Sequence, residues 1–295
     1  MESIGYVHAP LLMALYDIKY TDIPEFYDES KLVQVESVLR EHGFVEKVVE
    51  SFQQVNFEVS PNAPSEQMVS MQKPTASGKT KQRWIFLNLD RTVSLYFAEG
   101  SLVLKTTNYS THEQYLELLI KVLTDIANVF PSLMKGALLQ IGTRFLNLII
   151  PKEDKSLIDY VLPSWLPNSV SLPAGIESNP GVHNRLILNY ETSLGNLRVE
   201  SNQFSPKAGM NKQIIPDELM DNPEVSLSIA GRPWWNDQLS SNVSYLVLDF
   251  DLIKIYREIF DINAISGYIN EMRSITKPAF EGCITDTART DWVIK

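Results

Sequence analysis

A chain of 295 residues, 44% hydrophobic and 21% charged, has the composition of a folded globular protein with room for one large domain or two ordinary ones, which excludes wholesale disorder. A net charge of −10 repels nucleic-acid phosphates and argues against nucleic acid as a general partner. The single cysteine, Cys283, excludes an internal disulfide and any zinc site built on two or more thiolates. The N-terminus lacks the basic start and cleavage site of a signal peptide, and no apolar run reaches the about 18 residues of a membrane span, so the expectation is a cytoplasmic protein without a membrane segment.

In chain order, residues 9–20 (APLLMALYDIKY) are apolar on both alternating faces, the pattern of a covered central strand. Ser30 is the expected cap of a helix with Leu32, Val35 and Leu39 at helical spacing, stopped by Gly43. Residues 45–59 read as a long strand, and 60–82, rich in Pro, Ser and Gln, as a long loop. Three short runs, 83–89, 92–97 and 102–105, form an antiparallel meander by their tight turns. A Ser110-x-x-Glu113 capping box opens a helix that Pro131 ends, and 137–150 is a further strand. Prolines at 151, 163, 167, 173 and 180 mark a connector. Beyond it come a hairpin (184–190 with 196–203), a strand from Tyr245, and a helix from Ile262 that Pro278 should kink or end.

The reading is an α+β protein: antiparallel sheets with long helices packed on one face, arranged as two similar halves, 1–150 and 183–295, joined by a Pro-rich connector at 151–182 or merged into one domain.

Chemistry-bearing residues are few. Ser77-Gly78-Lys79-Thr80 echoes the end of a phosphate loop. The position five before Gly78 is Lys73 rather than glycine, and a strand rather than a helix follows, so no nucleotide site is expected. Lys73, Lys79, Lys81 and Arg83 still make a basic stretch that could sense nucleic acid. Asp249 and Asp251 share one strand face, as a pair able to hold a divalent cation for a metal-dependent hydrolase or nuclease. The plainer account makes them the wet side of a half-buried strand, with Leu246, Leu248, Phe250 and Leu252 facing the core. His8, His42, His112 and His183 form no metal motif, and His42 and His112 are expected at ordinary surface positions near helix ends. Cys283 reads as a small buried hydrophobe. Arg144 and Asn147 lie in an apolar strand; a buried arginine must be paired, within the fold or by an anionic ligand. Arg232 with Trp234 and Trp235 is a candidate partner-binding loop or a loop pinned to its own core.

Several short stretches occur in an order that carries a resemblance: Ala9-Pro10-Leu11, Trp84-Ile85-Phe86, Thr106-Thr107-Asn108-Tyr109, Arg144-Phe145-Leu146-Asn147, Leu248-Asp249-Phe250-Asp251, and AFEGCITDTAR from Ala279 to Arg289. With these the chain resembles a sporadically distributed family of uncharacterised bacterial proteins over nearly its whole length. Family members usually carry a glutamate shortly after the Ala-Pro-Leu start, where this chain has Met13. The resemblance implies no particular activity. The family's patchy distribution is of the kind seen for anti-phage defence loci. The function expected is therefore non-enzymatic recognition of a partner protein or small ligand, in defence or toxin neutralisation, with no cofactor and with homo-oligomers allowed.

Overall fold

The computed structural model describes residues 9–53, 80–152, 154–167, 183–204, 214–229 and 243–292. The N-terminal stretch is a strand, β1 (Leu11–Tyr20), followed by helix α1 (Glu29–Glu41) and strands β2 (Phe44–Gln53), β3 (Thr80–Asn88), β4 (Val93–Ala98) and β5 (Ser101–Thr106). Helix α2 (His112–Val129) and strand β6 (Ala137–Ile149) complete the first segment. A single turn, α3 (Leu157–Tyr160), lies in the connector, and β7 (His183–Thr192), β8 (Gly195–Phe204), β9 (Tyr245–Ile259), α4 (Ile262–Glu281) and α5 (Asp286–Asp291) follow.

All nine strands form one antiparallel sheet in the order β2-β3-β4-β5-β1-β6-β9-β8-β7. The first segment supplies six of these strands and the second three, and β6 of the one pairs with β9 of the other. The Pro-rich connector therefore separates no sheet from another. Its described residues pack instead: Leu157 and Tyr160 are buried, and Val161 bridges to Ile284.

Strand alternation sorts the core in two. The largest cluster joins Ala14, Tyr16 and Ile18 of β1, Phe86, Phe97, Leu104 and Ile141, and Leu248, Phe250 and Leu252 of β9 with Leu39 of α1, Leu119 and Ile126 of α2, and Ile265 and Ile269 of α4. The opposite residues of the same strands meet an irregular segment, 214–229. Met13, Leu146 and Val247 pack with Leu219, while Ile85, Leu87 and Tyr96 pack with Val225.

Several local expectations are corrected. Asp28, not Ser30, caps α1, accepting from the backbone N–H groups of Ser30 and Lys31. Thr111, not Ser110, caps α2, because its side chain reaches the Gln114 N–H. The last residues of the supposed 60–82 loop belong to β3, which starts at Thr80, and β9 runs on as strand to Ile259. Pro278 lies inside α4; in the last turn its missing N–H removes only one helical bond, so the helix continues to Glu281. His112 is not at the surface. It is 3% exposed, between the Tyr16 hydroxyl at 3.0 Å and the Asn270 amide oxygen at 2.8 Å. His42 is part-buried too, 2.5 Å from Asp125. Cys283 is fully buried, and burial pushes its thiol up to about 12.

Candidate functional site

The sheet face away from the main core carries the concentrated polar chemistry. Register places Arg144 of β6 beside Asp251 of β9, and Asp251 beside Arg198 of β8; one pleat along, Leu146, Asp249 and Glu200 line up. The Arg144 Nε lies 3.0 Å from both Asp249 carboxylate oxygens, and Nη2 donates at 2.5 Å to Oδ2 and at 2.8 Å to Oε1 of Glu218. This fork geometry is the strong form of an arginine–carboxylate pair. Burial pulls the Arg144 guanidinium down, but hydrogen bonds and charge from Asp249 outweigh it and hold the pKa above the ordinary value. Burial raises the Asp249 carboxyl, with Arg144 opposing.

The two aspartates thus do share a face, but they are not its wet side. The Asp249 side chain is 2% exposed, and Asp251 is half-buried. The 214–219 segment explains this: Glu218 and Leu219 lie over a face that the sequence pattern leaves open. The Asp251 carboxylate makes no hydrogen bond or ion pair with any described residue, and burial raises its pKa despite Arg144 and Arg198 nearby. On β1, Asp17 has one buried oxygen without a partner, and burial raises its carboxyl also. Gly142 lies between; a Cβ there would stand 3.5 Å from the Asp17 Cβ and 3.8 Å from Ile253, so its absence leaves a dip in the sheet surface.

Next to this pair, Glu200 gathers Arg185 (2.6 and 2.7 Å), Arg198 (2.6 Å) and Asn202 (2.8 Å). Burial alone would raise Glu200; the donors overturn that and lower it. Arg185, Glu200 and Glu218 line a cleft of about 180 Å³ together with polar Asn202 and Asp217 and apolar Phe204, Ile215 and Val247. Sequence reasoning missed this group. Its signal was the alternation in Leu197-Arg198-Val199-Glu200-Ser201-Asn202, which sets three polar side chains on one face of a strand.

The 214–229 segment is tied across the rest of the face. Lys105 donates to Asp221 at 2.7 Å and lies 4.5 Å from the Tyr96 ring centre. The Thr107 hydroxyl donates to the Ser228 carbonyl at 2.6 Å, and Arg91 to the Glu224 carbonyl at 3.1 Å.

Arg144 and Asn147 do not converge. Three residues apart on a strand, they point to opposite faces, and the buried Asn147 amide lies 3.4 Å from the carbonyls of Phe145 and Leu248. Lys81 pairs with Glu99 at 3.6 Å and Arg83 with Glu50 at 2.6 Å, so these two basic groups have acidic partners within the fold. Lys73, Lys79, His8, Arg232, Trp234 and Trp235 lie outside the described residues. Among the described residues no group of three or more His, Cys, Asp or Glu is arranged to hold a metal ion, and no helix is long and apolar enough to cross a membrane. Comparisons with protein families, with curated proteins and with solved structures find no match to this chain.

Proposed function

We propose that this chain is a non-enzymatic cytoplasmic recognition protein that takes a side chain of a partner protein, or a small ligand of like chemistry, in the cleft beside β8. The observation that carries this reading is the cleft's composition. Charged groups already oriented by ion pairs, Arg185, Glu200 and Glu218, share its lining with apolar Phe204, Ile215 and Val247. Such a surface binds a group that is apolar in body and polar at its tip, with little reorganisation of its own. The same reading takes α1, α2 and α4 as a layer on the opposite face, a buttress that leaves the polar face for contact. The setting, anti-phage defence or toxin neutralisation, rests on the family resemblance alone.

A photo-cross-linking residue in place of Ile215 should capture one reproducible partner in native cells, whereas the same residue at the exposed Val33 of α1 should not. Equal capture at both positions would sink the reading.

A second reading, a metal-dependent hydrolase or nuclease at Asp249 and Asp251, draws support from the Asp251 carboxylate, which the fold leaves without a hydrogen bond among the described residues. It is opposed by Arg144, which occupies both oxygens of Asp249. Saturable heat on titration with magnesium or manganese, lost in a folded Asp251→Asn variant, would replace the first reading with the second.

A further inference from the structure

Among the described residues the sheet ends on β2 at one side and β7 at the other. An edge strand presents a row of unpaired N–H and C=O groups, which proteins blunt with bulges, charges or proline. The two edges differ in this respect. β2 has a register shift between Phe44 and Glu46, and its Glu46, Lys47 and Glu50 are engaged by Arg91, Glu36 and Arg83. β7 runs in unbroken register against β8 from His183 to Thr192, and its sequence, HNRLILNYET, holds neither proline nor lysine. It exposes Ile187 and Tyr190, and the Glu191 carboxylate meets no described residue.

We propose that β7 is a dimerisation edge, pairing antiparallel with β7 of a second copy about a two-fold axis that is normal to the sheet and passes midway between the Leu188 residues of the two copies. Opposed residues of an antiparallel pair share a face, so the axis must pass between a residue and its own symmetry mate. Centred on Leu188, the strand is complementary to itself. Arg185 of each copy stands opposite Glu191 of the other, Leu186 opposite Tyr190, and Leu188 opposite its own mate. Moving the centre to Ile187 sets Arg185 against Asn189, and moving it to Asn189 sets Glu191 against Ile187, so both neighbouring registers lose the charge match.

The remaining contacts agree. Leu186, Leu188 and Tyr190 lie in register with Ser201, Val199 and Leu197, and the last two belong to the main core, so pairing extends that apolar layer across the axis. Arg185 uses Nε and Nη2 on Glu200, leaving Nη1 for Glu191 of the second copy. Apolar and opposite-charge cross-strand pairs both favour such a ladder, and like charges directly opposed disfavour it.

Sedimentation velocity on the full chain across the micromolar range tests this. A reversible dimer is expected. Leu188→Lys and Leu188→Glu should each be monomeric, since each sets like charges together at the axis, and an equimolar mixture should dimerise again. Glu191→Arg, at an exposed position, should weaken the dimer by about tenfold or more. A wild-type chain that stays monomeric throughout, or a Leu188 mixture that fails to associate although both variants fold, overturns the proposal. If the Leu188 variants do not fold, Glu191→Arg decides, and an unchanged dissociation constant overturns it.

Discussion

Asp249 is a carboxylate with almost no access to water, and its compensation comes from one side chain, Arg144. The Coulomb attraction of such a pair is largely offset by the cost of drying both charges, so the pair as a whole adds little net stability. Breaking it is another matter. Arg144→Ala should cost about 3–5 kcal/mol in urea unfolding, because the carboxylate stays buried without a donor. Replacing both partners with apolar residues, Arg144→Met with Asp249→Leu, should cost far less than the single change. A single-variant loss below about 1 kcal/mol would mean that water reaches Asp249 and that the pair does not anchor the face. Glu218 extends the effect, since it accepts from the same guanidinium and is part of the cleft wall.

At the scale of elements, His112 joins three of them. It opens α2, accepts from Tyr16 of β1 at Nδ1, and donates from Nε2 to the Asn270 oxygen of α4, an atom that can only accept. Burial favours this neutral form of the ring in the folded protein. Burial lowers its pKa below 6.5, with Arg273 adding to the shift while Asn270 and Glu113 oppose it. The unfolded chain then binds the extra proton first, so stability should fall as pH drops below about 6.5 and level off below the folded pKa. His112→Gln, assayed by urea midpoint against pH, should flatten that slope, and an unchanged slope would assign it to other groups.

The same residue shows where the sequence stops being legible. Periodicity marked the β3–β5 meander and the buried face of α2, because both are set by neighbours close in the chain. Burial of His112 depends on Asn270, 158 positions away, and no local pattern carries that. Arg144 and Asp249 stood out as polar residues in apolar strands. Their pairing followed only from the β6–β9 register, and Glu218 joined from a segment without periodicity.

At the scale of the molecule, the question is whether residues 1–150 and 183–295 unfold together. β6 is the last strand of the first segment and lies between β1 and β9, with β9 beside it over most of its length. The main core also mixes the two, since Tyr16, Phe97 and Leu119 share a cluster with Phe250, Ile265 and Ile269. Removing the second segment would open β6 as a long unpaired edge, with Leu146 and Leu148 losing their covering partners Leu219 and Val247. The full chain should then unfold in urea as one transition, with tryptophan fluorescence, to which Trp84 of the first segment and Trp292 of the second both contribute, changing together with far-ultraviolet circular dichroism. Residues 1–150 expressed alone should show no cooperative transition. Two separated transitions in the full chain, or a stable 1–150 fragment, would mean that the β6–β9 seam docks two self-sufficient halves. The apolar area lost at that seam makes this the poorer expectation, since the first segment alone would have to offset the entropy of ordering its chain with some of its core missing.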